Sequence, residues 1–496
     1  MGSAESTPTP QAPMRTYSRR QRPASPQVTL DEKFDAFRID HAEPISSNSI
    51  LSSDNSEHVS GAQTEQYVHE LLKDSKNRLA LSALSANNPS VILERPSAIL
   101  KDTQYYNITI PNEGSPVTNQ RSSGRCWIFA ATNVFRVAIQ QKYDIKSFEL
   151  SQAYLFFWDK VEKANYFLES VLDTVDEDVD SRLVSALMAS PVGDGGQWDM
   201  IVNLVTKYGI VPQTLFPDSW NAQNSSVMNR LLTTKLREDA LRLRALKASS
   251  SDANIAAKKE QMMQDVVRIL TLSLGPPPSA DEKFTWEYYD SVNKLKTVSL
   301  TPLEFADTTH VKKFISLVND PRNDYNRLLT VDHLGNVWDG RPITYINVDK
   351  TVLKEACVAM LKKGLPIFFG SDVGKQSDSQ KGIMDTDLVD YELGFNVKLG
   401  LSKAERLMTG ESAMTHAMVL TAVHLDQDSK PVRWRVENSW SSTAGTDGYF
   451  VMSDAWMDEF CYQAVVDPSV VTKGIRDVLK QKPKVLPLWD PMGALA

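Results

Sequence analysis

The sequence predicts an α+β fold built from two unlike halves, a helical half followed by a β-rich half. In roughly the first 300 residues, several long stretches carry apolar residues at helical spacing. From about residue 340 the apolar runs become short and β-branched or aromatic, with Gly, Asp and Pro at their ends, which is typical of strands. A third observation is a helical segment of different charge between the two regions. A cleft between unlike halves is a usual place for a functional site.

Length and composition limit the function classes. A chain of 496 residues is too long for one compact core and indicates two or three packed subdomains. The net charge of −8 argues against a protein that binds nucleic acid over its whole surface. No apolar run is long enough to cross a bilayer, so no membrane span is predicted. Only three cysteines occur, which implies no disulfide framework and favours a reducing, cytoplasmic location.

Residues 1–45 are predicted to be a disordered extension, because they are rich in Ser, Pro, Thr and Gln and poor in large apolar residues. Two targeting interpretations stay open beside a plain solvated tail. Gly2 followed by Ser6 matches the minimal myristoylation pattern, which would give a lipid-anchored pool. The richness in Arg and Ser is also typical of a weak mitochondrial presequence.

Residues 46–214 are predicted to form the helical half. The pattern over Glu65–Leu81 is that of a helix with one buried face. A second helix begins near Cys126 and is apolar on most sides, so we expect it to be central and buried. Ser122 or Ser123 is the expected N-cap of that helix.

Residues 215–335 are predicted to be a helical insertion, or hook. Two runs of apolar residues at helical spacing are separated by a turn, and Gly275 followed by three prolines ends the second run. Between Ser226 and Leu270 there are nine Lys or Arg and five Asp or Glu, a local net charge of +4. This positive charge on an acidic chain is either a solvated helix face or a binding surface for DNA or RNA.

Residues 336–480 are predicted to be the β-rich half, with strands in ITYINV, LPIFFGSDV, HAMVLTAVHL, VRWRVENSW and GYFVMS. Residues 481–496 form a C-terminal arm that ends in LPLWDPMGALA. A frayed tail is the common state of small terminal residues. Here Pro487, Trp489 and Pro491 indicate a fixed path instead.

The segment NQRSSGRCWIFA, residues 119–130, carries the candidate nucleophile. A cysteine in the first turn of a helix faces the positive end of the helix dipole, which favours the reactive thiolate. The side-chain amide of Gln120 and the backbone N–H of Cys126 would together form an oxyanion hole. Taken alone, Cys126 could equally be a small buried apolar residue.

Two downstream segments complete the candidate site. His416 starts a strand-like run, which would hold its imidazole on a rigid element as a general base. Asn438 would accept a hydrogen bond from one imidazole N–H and leave the other ring nitrogen for Cys126. Trp440 would keep water away from that hydrogen bond.

These motifs resemble those of the papain-like cysteine peptidases. Cys126-Trp127 matches the nucleophile signature, with Ser123 in place of that signature's first cysteine, and Asn438-Ser-Trp matches the orienting asparagine. His416 lies 290 residues after Cys126, farther than in simple members, which fits a helical insertion. Together with GDGGQWDM and the C-terminal motif, this layout is similar to the bleomycin hydrolase family over roughly residues 60–496.

The resemblance implies a papain-like two-subdomain fold and an intracellular cysteine aminopeptidase that forms homohexamers. Substrates would be peptides, small amides and thiolactones, and neither a cofactor nor a metal is expected. The carboxylate of Ala496 would pair with the substrate's ammonium group and so position the first peptide bond over Cys126. Two alternatives stay open, a thiol endopeptidase without this C-terminal ruler and a hexameric scaffold that binds DNA or RNA through the basic hook.

Overall fold

The structure is a computed structural model that describes residues 59–247 and 250–495. The predictions for residues 1–45, including Gly2, and for Ala496 lie outside the described residues. In the described part of the chain, no helix is long and apolar enough to cross a membrane. The described residues divide into two compact units, 59–92 and 93–495.

The first unit consists of α1 (Gly61–Lys73), α2 (Ser75–Leu84) and α3 (Pro89–Ile92). Asp74 follows α1 and caps α2, since its carboxylate accepts from the Lys76 N–H at 2.8 Å. The single helix predicted over 65–81 is therefore divided at this residue. The buried face predicted for it is wrong, because Tyr67, Leu71 and Leu79 are exposed. Helical spacing of apolar residues shows that a helix has an apolar face, but that face is buried only where another part of the protein packs on it.

The helical half of the second unit surrounds two buried helices, α5 and α6. In chain order its helices are α4 (Pro96–Lys101), α5 (Cys126–Tyr143), α6 (Gln152–Asp173), α7 (Arg182–Ala189), α8 (Trp198–Tyr208) and α9 (Trp220–Gln223). The prediction of a central helix beginning at Cys126 is confirmed. Burial of this helix on most sides fixes the position of its first residue, which carries the candidate nucleophile.

The insertion begins with the predicted helical pair, α10 (Ser226–Lys247) and α11 (Asp252–Leu274), and Gly275 ends α11 with a positive φ of 92°. For the remainder of the insertion, the prediction that it is helical is wrong. It contains the hairpin β2 (Phe284–Tyr289) and β3 (Leu295–Leu300), helix α12 (Pro302–Ala306), and two strands of the main sheet. These strands are only four to six residues long. Such short runs carry too little periodicity to distinguish a strand from a helix.

In the described part of the chain, twelve strands form one mixed sheet in the order β14-β5-β6-β4-β13-β7-β10-β11-β12-β9-β8, with β1 beside β10. The strands are β1 (Ile108–Thr109), β4 (Ile315–Val318), β5 (Arg327–Val331), β6 (Tyr345–Asn347), β7 (Ile367–Ser371), β8 (Ser377–Asp378), β9 (Ile383–Met384), β10 (His416–Leu425), β11 (Pro431–Glu437), β12 (Tyr449–Ser453), β13 (Cys461–Val466) and β14 (Lys484–Leu486). All five strands predicted from residue 343 onward are present.

The remaining helices of the second unit cover the sheet and connect its strands. They are α13 (Lys350–Lys362), α14 (Tyr391–Phe395), α15 (Lys403–Thr409), α16 (Asp454–Phe460) and α17 (Lys473–Asp477). Short 3₁₀ turns occur at Gln213–Leu215, Asp307–Thr309, Val311–Lys313, Pro468–Val470, Val478–Lys480 and Pro491–Gly493.

The register of the sheet positions the candidate site. Strand β10 pairs antiparallel with β7 on one side, His416 opposite Ser371, and antiparallel with β11 on the other. In an antiparallel pair, one strand begins where its neighbour ends. His416 begins β10 and Asn438 directly follows β11, so the two residues lie at the same edge of the sheet.

Candidate active site

Cys126 is the first residue of α5 and is buried. The residue before it, Arg125, takes the N-cap position, and no side chain caps the helix. The predicted cap by Ser122 or Ser123 is therefore wrong, since Ser123 Oγ instead donates to the Gln120 carbonyl at 2.6 Å. An uncapped helix N-terminus leaves its backbone N–H groups available to a ligand or a developing negative charge.

The electrostatics of Cys126 differ from the sequence prediction. Burial raises the pKa of the Cys126 thiol to about 11, although backbone hydrogen bonds from Ala417 and Trp127 oppose this shift. The helix dipole, which was expected to favour the thiolate, is thus outweighed by loss of solvent around the sulfur. A charge on this sulfur therefore requires a compensating positive charge on a neighbouring group.

The candidate for this neighbouring group is the imidazole of His416, which is buried at the start of β10 and adjoins Ala417, whose backbone bonds Cys126. Its Nε2 hydrogen-bonds Asn438 Oδ1 at 2.8 Å, and the indole of Trp440 stacks on the ring at a centroid distance of 4.8 Å. Burial lowers the pKa of His416 to about 4, and the hydrogen bond with Asn438 acts in the opposite direction. Because Nε2 is engaged by Asn438, Nδ1 is the nitrogen left to exchange a proton with Cys126.

Gln120 connects the two halves at the site. Its backbone N–H donates to the Ser439 carbonyl at 2.9 Å, and its Oε1 accepts from Ser439 Oγ at 2.7 Å. Its Nε2 donates to the Ser123 carbonyl at 2.7 Å, which uses one of two amide hydrogens. The second hydrogen and the Cys126 N–H are the donors available for an oxyanion. Hydrogen bonds hold both the oxygen and the nitrogen of the side-chain amide, so little reorganisation is needed when the negative charge develops.

Sequence reasoning missed Arg125, which precedes the nucleophile and is fully buried. Its guanidinium makes two hydrogen bonds of 2.8 Å to the carboxylate of Asp218 and packs over the rings of Phe129 and Phe156. A cation at the start of an apolar helix requires a paired anion. This requirement could have predicted from the sequence that Arg125 pairs with a carboxylate, although it could not have identified Asp218 as the partner.

Asp194, within the GDGGQWDM motif, is a second missed residue. Its carboxylate accepts hydrogen bonds from the Gly124 N–H, Lys160 and Asn229 at 2.6 to 2.9 Å, and also from Ser225. Burial raises the pKa of this carboxyl, but Lys160 and the hydrogen bonds outweigh that effect and hold the pKa well below its usual range. The carbonyl of Asp194 also accepts from the indole N–H of Trp127 at 2.6 Å. This network fixes the segments on both sides of Cys126.

The loop that follows Asp194 packs directly against the residue after the nucleophile. A Cβ on Gly196 would lie only 2.5 Å from the ring of Trp127, so only glycine fits there. Lys163 donates to the carbonyls of Gly193 and Gly195 at 2.9 and 2.6 Å. Glycine, which occurs three times in this motif, is the residue type that permits such a close backbone approach.

The C-terminal arm crosses the sheet edge and returns to this loop. Strand β14 pairs parallel with β5, and Asp490 binds Arg322 at 2.7 Å. Met492 is buried, and the carbonyl of Ala494 accepts a hydrogen bond of 2.7 Å from Gln197 Nε2. Gln197 was also missed by sequence reasoning. The arm was predicted to lie in the cleft through Ala496, which is outside the described residues.

Comparisons with known proteins agree with this geometry. Residues 58–493 match the model of the family described as "Peptidase C1-like family". The chain is 44% identical to "Cysteine proteinase 1, mitochondrial" of Saccharomyces cerevisiae, over 86% of this chain and 91% of the relative. It is also 44% identical to "Bleomycin hydrolase" of Homo sapiens, over 86% of this chain and 97% of the relative.

Among solved structures, PepW from Lactobacillus rhamnosis superposes with a TM-score of 0.86 at 43% identity. The match covers 89% of this chain and all of that structure. The predicted papain-like α+β fold and the resemblance to bleomycin hydrolases are confirmed. The chain therefore belongs to the Peptidase C1-like family and is a cysteine peptidase with a papain-like fold.

Proposed function

We propose that the chain is an intracellular cysteine aminopeptidase that removes N-terminal residues from peptides. The observation that carries this proposal is the hydrogen bond between Gln197 Nε2 and the Ala494 carbonyl. It holds the arm against the loop that packs on Trp127, next to Cys126. In this proposal the arm closes the cleft beyond one substrate residue. The carboxylate of Ala496 then pairs with the substrate's ammonium group.

The proposed mechanism assigns one task to each site residue. The sulfur of Cys126 attacks the carbonyl carbon as its proton moves to Nδ1 of His416. Gln120 Nε2 and the Cys126 N–H stabilise the oxyanion, and the imidazolium then protonates the leaving amine. Asn438 and Trp440 hold the ring in position. A water molecule deprotonated by His416 finally releases the acyl group from sulfur.

Small amides and thiolactones are further substrates within the proposal. Both are acyl compounds, and the same thiol attack and oxyanion hole suffice for them. The human relative is named for the hydrolysis of bleomycin, and it is 44% identical to this chain. No additional residue is required for these reactions.

The alternative of a thiol endopeptidase has less support. An endopeptidase needs an open cleft on both sides of the scissile bond. Here the arm is fixed by β14, by the Asp490–Arg322 ion pair and by Gln197, and the last of these contacts lies in the loop beside Trp127. Such a fixed arm favours the aminopeptidase.

For assembly, we propose the homohexamer that the family resemblance implies. The exposed apolar side chains of α1 and α2, among them Tyr67, Leu71 and Leu79, support a partner chain on this face. Sedimentation of the full chain at several concentrations tests the assembly. A monomer at all concentrations would contradict it.

Nucleic-acid binding by the hook has weaker support. Several of its cations are already engaged, since Lys235 pairs with Asp239, Lys259 with Glu169, and Arg244 donates to carbonyls of the 174–177 segment. A binding constant for DNA that does not fall with salt would exclude the phosphate contacts that this alternative requires.

The proposed location is the cytoplasm. Cys126, Cys357 and Cys461 are all free thiols, as expected in a reducing compartment. A mitochondrial pool stays an alternative, because the yeast relative bears "mitochondrial" in its name. Fractionation of cells expressing the complete chain distinguishes the two locations.

Peptide hydrolysis with mapped cleavage positions tests the proposed function. We expect the wild-type chain to release single N-terminal residues and Cys126→Ser to lose at least about 1000-fold in kcat, because the hydroxyl is a far weaker nucleophile. Thiol titration after unfolding is the control, since only one of three thiols is removed. Unchanged activity in Cys126→Ser, or internal cleavage by the wild type, would overturn the proposal.

A further inference from the structure

The end of the C-terminal arm is attached to the rest of the molecule at three points. The first is Met492, which is buried within the turn Pro491–Gly493. The second is Ala494, whose carbonyl accepts the hydrogen bond of 2.7 Å from Gln197 Nε2. The third is Leu495, whose partly buried side chain packs against the hydrophobic core.

Gln197 is itself fixed relative to the nucleophile. It is buried, and it is the N-cap residue of α8. The loop before it contacts Cys126's neighbour Trp127, through the Asp194 carbonyl at 2.6 Å and through the close approach of Gly196. A short series of contacts therefore connects the arm to the start of α5.

The side chain of Gln197 also carries an uncommitted acceptor. Its Oε1 is buried and has no hydrogen-bond partner among the described residues. A buried acceptor without a donor destabilises the folded protein, so the favourable contribution of this side chain comes from its Nε2 hydrogen bond to the arm.

We propose that Gln197 is a positioning residue that determines the specificity for free N-termini, an inference that rests on the proposed aminopeptidase function. Its hydrogen bond fixes the backbone at Ala494, next to the packed Leu495, and so restricts the path of the arm. Loss of this bond lets the carboxylate of Ala496 spread over a larger volume around the substrate's ammonium group.

The size of the expected effect follows from the energy of one neutral hydrogen bond, whose loss predicts a factor of about two to ten. We therefore expect Gln197→Met, which keeps the length and volume of the side chain, to lower the preference for free over N-acetylated peptides about fivefold.

The experiment is a double-mutant cycle on the full-length chain. The measured quantity is the ratio of kcat/KM for a peptide with a free N-terminus to kcat/KM for its N-acetylated form. The four chains are wild type, Gln197→Met, a chain ending at Gly493, and the combination of the two changes. We expect Gln197→Met to lower the ratio in the complete chain and to leave it unchanged in the shortened chain.

A matched control is Gln463→Met on β13. Gln463 is also buried, donates one hydrogen bond of 3.0 Å to Ser316 Oγ, and has an Oε1 without a partner among the described residues. We expect this variant to lose a similar hydrogen bond without altering the ratio. A fall of the ratio in Gln463→Met equal to that in Gln197→Met would overturn the specific role.

The remaining outcomes separate this inference from the proposed function. If shortening the chain changes the ratio and Gln197→Met does not, only the role of Gln197 is overturned. The same conclusion follows if Gln197→Met lowers the ratio equally in both chains, because its effect then does not pass through the arm. If shortening the chain leaves the ratio unchanged, the arm is no ruler and both proposals fail.

Discussion

The two sides of the candidate site are held in different ways. On the nucleophile side, buried charges fix the segments around Cys126: Arg125 with Asp218, and Lys160 with Asp194. On the base side, the backbone ladders of β7, β10 and β11 fix His416 and Asn438. A few strong side-chain ion pairs thus hold the nucleophile side, whereas many weaker backbone hydrogen bonds hold the base side.

This difference determines whether a substitution lowers stability or activity. A buried ion pair broken at one end leaves an uncompensated charge, so a single change on the nucleophile side should strongly destabilise the protein. The ladder hydrogen bonds of a sheet do not depend on any one side chain. A single polar substitution on the base side should therefore affect the chemistry and leave the fold intact.

The strongest test of the contrast is Asp194→Ala. Removal of this carboxylate leaves the buried Lys160 without its anion, and the Gly124 N–H without its acceptor. We expect the free energy of unfolding to fall by about 3–5 kcal/mol, measured by urea denaturation. The control is Glu238→Ala, which breaks an exposed pair with Arg242 and should cost less than about 1 kcal/mol. Equal losses in both variants would show that burial of the pair is unimportant.

On the base side, Asn438→Ala should separate activity from stability. Loss of the acceptor for His416 Nε2–H frees the ring to rotate, so we expect kcat to fall about 100-fold or more. The same hydrogen bond raises the pKa of His416. The acid limb of kcat/KM, already expected below pH 6.5 from the lowered pKa, should therefore move to still lower pH. The free energy of unfolding should change by only about 1 kcal/mol.

Thr421→Val on β10 is the control for Asn438→Ala. The hydroxyl of Thr421 is buried without a partner among the described residues. Its removal should leave activity unchanged and stability unchanged or slightly increased. A large loss of stability in either variant would contradict the view that the ladders alone hold this side.

The smallest expected effect is the pH dependence of stability on the nucleophile side. The pKa of Asp194 is lower in the folded state than in the unfolded chain. Its contribution is therefore complete above the unfolded value near 4 and is lost as the pH falls toward the folded value. We expect Asp194→Asn to have a flatter acid dependence of the free energy of unfolding below about pH 4 than the wild type. Parallel curves would contradict this assignment.

Some elements could be predicted because their signals are local. The first turn of α5, the strand that begins at His416, and the turn that ends α11 at Gly275 each depend on residues close together in the chain. The hydrogen bond between His416 and Asn438 was also predicted, because Asn438-Ser-Trp is a short motif that resembles the orienting asparagine of papain-like peptidases.

Other features could not be predicted because their partners are distant in sequence. Arg125 meets Asp218, 93 residues away, and Gln197 meets Ala494, 297 residues away. No local pattern specifies such partners. The strands β4 and β5 were misassigned to the insertion for the same reason, since it is pairing with neighbours in the sheet that stabilises them.

The sequence by itself determined the α+β class, the central nucleophile helix and the order of Cys126, His416 and Asn438, because spacing and short motifs carry that information. Only the tertiary structure decided how those residues are held and how they ionise. The pKa of Cys126 is raised rather than lowered because the whole surrounding core excludes water from the sulfur. Burial is the combined effect of many residues from distant parts of the chain, whereas a helix dipole is a local property that the sequence already contains.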